Sequence, residues 1–143
     1  MIPISFVVDN TDVGCRLGIT VTCDNVTVAQ HQHIAQATQI EFLLDETTND
    51  VHVLEIEMSG KLPQHTQLDS QGNFVHDPRL IIRDFEVDQV PAQAALYNLG
   101  VYEHDCNGSE SWAQHNFSGI MGCNGRVRLT IPTPILTWLL ENT

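Results

Sequence analysis

Positive charge is what this chain has least of. Its 143 residues carry 18 acidic side chains against 6 Lys and Arg, a net charge of −12, and Lys61 is the only lysine. Such a surface repels phosphate backbones and anionic headgroups, which argues against nucleic acid and the membrane surface as partners. Long apolar runs are also missing, and no stretch approaches the roughly 20 residues of a membrane-spanning helix. The start, Met1-Ile2-Pro3-Ile4-Ser5-Phe6-Val7-Val8, has no basic residue and reads as a first strand rather than a signal peptide. Aromatic residues make up only 6% of the chain.

Catalytic signatures are equally scarce. There is no nucleophile elbow, zinc-protease helix, phosphate loop, dinucleotide fingerprint or EF-hand loop. His104, Asp105 and Cys106 stand together, but nothing nearby supplies oxyanion donors, and a Cys–His catalytic pair usually meets through the fold. Glu55 and Glu57 share a strand face, as do Glu86 and Asp88, which is the spacing of a solvated face and not of carboxylates facing across a cleft. The expectation is a protein without enzymatic activity. Cys15, Cys23, Cys106 and Cys123 lack the close C-x2-C pairing of common zinc sites, so free thiols are expected.

What is present is β-type sequence. Val, Ile, Thr and Phe recur in short runs separated by Gly, Pro, Asn and Asp. Leu17–Thr22 and Val26–Val28 flank the turn pair Asp24-Asn25, which predicts a hairpin. Val51–Met58 alternates most regularly, with Leu54, Ile56 and Met58 on one face and a slip at Val53-Leu54 that suggests a bulge. Leu68–Val75 reads as a hairpin with Gly72 at its tip, and Ala92–Leu96, after Pro91, as a short helix. The whole, residues 1–143, is expected to form one all-β domain: an antiparallel β-sandwich or jelly-roll of about 8–10 short strands with at most one short helix.

Binding residues are sought in the loops. Trp112, within Ser109–Gln114, is the best candidate for an exposed aromatic, and Tyr102 lies nearby. With Asp105, Asn107 and Asn116 they form a candidate carbohydrate-binding set, an aromatic face edged by amides and a carboxylate. Asp105 and Asn107 are also the candidate metal ligands; no motif demands a cofactor, and calcium is the ion these loop oxygens would suit. Trp138 sits in an apolar run and reads as core. Cys106-Asn107-Gly108 and Cys123-Asn124-Gly125 echo one another, and two tight turns explain the echo.

Four stretches carry a resemblance: Gly60–Asn73, Val101–Gly108, Phe117–Gly125 and Thr133–Asn142. Together they resemble small β-sandwich proteins of marine and cyanobacterial tailed phages, virion components with a carbohydrate-binding-module-like fold. The chain departs from that pattern at Cys106 and Thr137, losing an aromatic at each. The resemblance implies a structural component of a phage particle (tail, baseplate or capsid decoration) that assembles in the host cytoplasm. Its partners would be other virion proteins and further copies of itself, with a host-surface glycan as a second contact. The alternative expectation is a calcium-assisted carbohydrate-binding module.

Overall fold

A computed structural model describes all residues from Met1 to Thr143. In chain order the elements are β1 (Ile2–Asn10), β2 (Gly18–Cys23), β3 (Val26–His31), β4 (Thr38–Leu44), β5 (Val51–Ser59), β6 (Gln67–Leu68), β7 (Phe74–His76), β8 (Leu80–Val87) and β9 (Val90–Pro91). Helix α1 (Gln93–Leu99) follows, then β10 (Val101–His104), β11 (Ala113–Asn116), β12 (Ile120–Met121), β13 (Gly125–Pro132) and helix α2 (Ile135–Asn142).

Two antiparallel sheets make the expected sandwich. One runs β12-β8-β1-β4, with β9 added to β8; the other runs β11-β10-β13-β5-β2-β3; β6 and β7 form a small separate ribbon. A single cluster of 31 buried residues lies between the sheets. It includes Phe6 and Phe85, whose rings sit 6.4 Å apart. Truncating either to Ala would cost about 3–5 kcal/mol.

The hairpin at Asp24-Asn25 forms as expected, with φ of 53° and 66° at the two turn residues. Asn and Asp tolerate the left-handed region that such a turn demands. Two expectations need correction. The strand β5 has no bulge at Val53-Leu54, since its pairing with β13 and with β2 runs unbroken. Register shifts lie elsewhere in the sandwich, on β2–β3 between Val21 and Thr22 and on β1–β8 between Ser5 and Val7. Strand β5 alternates regularly because His52 is an inward residue, 1% exposed, in register with Leu54, Ile56 and Met58. Its Nδ1 lies 2.7 Å from Asp24 Oδ2, which is how a polar ring comes to occupy an apolar row.

The second correction concerns Ile135–Leu140. This apolar run is most of α2, so the fold has two short helices where at most one was expected. Ile135, Trp138 and Leu139 are buried, at the i, i+3, i+4 spacing of one helical face. Trp138 is thus a core residue, as expected, though it enters the core from a helix.

Candidate functional site

The loop joining β10 to β11 carries most of the candidate residues, and its backbone explains its composition. Cys106, Asn107 and Gly108 hold φ of 52°, 59° and 90°, three consecutive left-handed residues. Gly and Asn are the residues that adopt this region most readily. Asp105 closes the turn: its Oδ1 accepts the Gly108 N–H at 2.9 Å and its main-chain oxygen accepts the Glu110 N–H at 3.0 Å.

A second turn, Gly122–Asn124 between β12 and β13, is packed against the first. Asn107 Oδ1 accepts the Asn124 N–H at 2.9 Å. The Asn124 side chain then grips Lys61, its Oδ1 accepting the Lys61 N–H at 3.0 Å and its Nδ2 donating to the Lys61 carbonyl at 2.9 Å. Lys61 is itself immobilised. Its ammonium, 1% exposed, donates to Asp77 Oδ1 and to the Gly122 carbonyl, each at 2.5 Å. Three segments distant in sequence are therefore stitched by amide and ammonium hydrogen bonds rather than by apolar packing.

Between them opens a cleft of about 630 Å³, lined by Trp112, Asp105, Asn107, Lys61, Arg126 and Glu57 among others. Trp112 is 61% exposed, an indole face offered to solvent on the wall. Arg126 and Glu57 face each other in the β13–β5 pairing. The Arg126 guanidinium also meets Glu103 Oε2 at 3.2 Å, while its Nε is buried without a partner. The adjacent Arg128 is held by Glu55 at 3.3 Å and Glu103 at 3.6 Å. Carboxylates thus surround both arginines, which fix guanidinium planes on the outer face of the sheet.

The candidate residues separate as follows. Asp105, Asn107 and Trp112 come together in the cleft. Tyr102 does not: it is 6% exposed, its hydroxyl donates to the Cys123 carbonyl and accepts the Cys123 N–H at 2.9 Å, and it has no open face for a ligand. Burial raises its pKa. Asn116 is exposed at the far end of β11, opposite Val101, and lies outside the cleft lining. Sequence reasoning missed Arg126, Glu57, Asn124 and Lys61. The repeated Cys-Asn-Gly was the one available signal for Asn124; the arginine and the lysine gave none.

The side chains expected to share a calcium ion, Asp105 and Asn107, each brace a turn through one oxygen. The Asp105 and Asn107 oxygens accept main-chain N–H groups, and no three carboxylates converge anywhere in the chain. The two places where three ligand-bearing side chains do converge are mixed: His104 with Cys106 and Cys123, and Asp12 with Cys15 and His76. In the first, His104 Nδ1 accepts the Cys106 N–H at 3.0 Å. Desolvation and the neighbouring His115 lower the His104 pKa. Burial, followed by Glu110, pushes the Cys106 thiol up to about 11. Both shifts favour the neutral forms of the ring and the thiol.

No protein-family model matches the chain, and no curated protein does. Two solved structures share the fold. One is a selenomethionine form of vCBM60, described in connection with a circular permutation linking two families of calcium-dependent carbohydrate-binding modules. It superposes with a TM-score of 0.55 at 11% identity over 90% of both chains. The other is vCBM60 in complex with galactobiose, with a TM-score of 0.52 at 15% identity over 89% of this chain and 96% of that one. The chain thus shares the β-sandwich fold of these two structures. Neither neighbour is described as a virion protein, so the phage resemblance gains no support from them.

Proposed function

We propose that the protein is a non-catalytic carbohydrate-binding domain and that the cleft beside Trp112 is its sugar site. The observation that carries this reading is the pairing of an exposed indole with fixed planar polar groups. A pyranose ring presents an apolar C–H face and an equatorial rim of hydroxyls. An exposed indole covers the first, while Arg126, Asn107, Asp105 and Glu57 offer donors and acceptors to the second. Because the polar groups are already held by Asn124, Glu103 and the turn backbone, little ordering entropy is lost when a ligand arrives.

The carbohydrate-binding neighbours support the same reading, and the galactobiose complex makes galactose-containing oligosaccharides the first ligands to try. Calcium is said of the families of those neighbours. No three carboxylates converge in the cleft, so recognition is assigned first to the protein's own side chains, with calcium tested beside them. Electrophoresis through gels containing dissolved polysaccharides, run with and without added calcium, tests this. Retardation by at least one polymer, with or without calcium, is the expected result. Migration unaffected by a full panel of galactans, xylans, glucans and mannans would refute it.

A further inference from the structure

Behind the cleft loop, His104, Cys106 and Cys123 bring one ring nitrogen and two sulfurs within 4.8 Å of one another. The three come from different places: the end of β10, the left-handed turn after it and the turn before β13. We propose that they form a zinc site that pins the cleft loop to the β12–β13 turn.

The chemistry of the donors selects the metal. Thiolate and imidazole are ligands for zinc and other soft or borderline ions, and calcium takes oxygen. The spacing is close to what zinc needs. Ligand atoms about 2.0–2.3 Å from a tetrahedral zinc stand roughly 3.5–3.8 Å apart, so the side chains need close by no more than about 1.3 Å. The fourth position of the tetrahedron is left to water, since Glu110 Oε2 lies 3.4 Å from Cys106 Sγ but does not converge with all three ligand atoms. On binding, the two thiols release their protons to solvent as the Zn–S bonds form, and His104 binds as neutral imidazole.

The surroundings orient the ligands. The His104 ring packs against Tyr102, at a centroid distance of 4.6 Å, and against His115, stacked at 4.8 Å. The Tyr102 hydroxyl holds the Cys123 main chain through both its N–H and its carbonyl. Outer contacts of this kind are what keep metal ligands in place. The second mixed cluster lacks this arrangement. There Asp12 already accepts His76 Nε2 at 2.6 Å and the Cys15 thiol at 3.6 Å, and only one sulfur is present. The zinc site stands independently of the sugar reading; only its consequence for the cleft rests on that reading.

The test uses the whole chain, reduced and freed of metal, titrated with Co²⁺ and then with Zn²⁺. One equivalent of Co²⁺ should give an intense thiolate-to-metal charge-transfer band and tetrahedral visible bands, and one equivalent of Zn²⁺ should abolish them. Cys123→Ser and Cys106→Ser should each lose most of the charge-transfer intensity, while Cys15→Ser keeps all of it. Circular dichroism on each variant separates loss of a ligand from loss of the fold. Absence of a thiolate band in the folded wild type would overturn the proposal, as would a band that survives Cys123→Ser but not Cys15→Ser. Isolation from zinc-supplemented cells with a Cys106–Cys123 disulfide in place of metal would overturn it too. Failure of sugar binding with the cobalt bands intact would overturn the glycan reading alone.

Discussion

Asn107 Oδ1 accepts the main-chain N–H of Asn124 at 2.9 Å, so the middle residues of the two Cys-Asn-Gly tripeptides are bonded to each other across the fold. What looks in sequence like two unrelated tight turns is one structural joint. Asn107 serves it twice, by tolerating φ of 59° and by supplying the acceptor. The two roles can be separated. Asn107→Gly keeps the backbone and loses the bond, and it should cost about 1 kcal/mol. Asn107→Ala loses the bond and also strains the backbone, so it should cost about 1 kcal/mol more. Denaturant unfolding of the two variants measures the difference; equal losses would mean the φ angle is not held.

Lys61 is buried and doubly bonded, and this predicts its reactivity. An amine-acylating reagent should label the folded protein once, at the N-terminus, and the unfolded protein twice. Intact mass spectrometry reads the count directly. Lys61→Met leaves the Gly122 carbonyl and Asp77 without their donor and should destabilise by about 3 kcal/mol, a drop visible in the denaturant midpoint.

Asp24 and His52 make the other polar contact at the edge of the core. Burial pushes the Asp24 pKa up, but the Val53 N–H, at 2.8 Å, and His52 outweigh it and hold the carboxyl below its ordinary value of 3.8. Stability from this carboxylate is therefore fully present above about pH 4 and is lost as pH falls through the lower folded value. Melting temperature should decline below pH 4, and Asp24→Asn should flatten part of that decline. At neutral pH Asp24→Ala should cost about 2 kcal/mol, because it leaves the 1%-exposed His52 ring with no partner at either nitrogen. A substitution without effect at pH 7 would show that the pair is incidental.

The two tryptophans should differ in solution as they do in the fold. Trp112 is open to solvent, and Trp138 is 4% exposed in the face that α2 buries. Acrylamide should quench about half the emission readily, and Trp112→Ala should remove that accessible component. Equal quenching of both would contradict the placement of α2.

These residues also show how far the sequence could be read. Strand periodicity announced the sandwich because the inward rows of β1, β5 and β13 are apolar apart from His52. It misled at His52, since a pattern that counts imidazole as polar cannot see that Asp24, from a distant turn, neutralises the cost of burying it. The segment Ile135–Leu140 was obscured for a different reason. Leu136 and Leu140 are exposed, so apolar residues lie all round α2 and hide the period of its buried face. Within the site, Trp112, Asp105 and Asn107 were visible as loop chemistry. Arg126 and Glu57 were not, because on their strands they look like any outward-facing charges, and only the β5–β13 register brings them to the cleft. Cys106 and Cys123 lie too far apart in the chain for their spacing to suggest a shared ligand.

The central claim is that Trp112 and the cleft beside it bind sugar, and calorimetric titration tests it most directly. Wild type and Trp112→Ala would be titrated with a galacto-oligosaccharide or with whichever polymer retards the protein in gels. The account predicts saturable binding by the wild type and at least a roughly tenfold weaker affinity in the variant, consistent with about 1.4 kcal/mol or more for losing an aromatic anchor. The melting temperature of the variant should be unchanged, since the indole is exposed. A Trp112→Ala variant that binds as tightly as wild type would contradict the account and move the sugar site elsewhere on the fold.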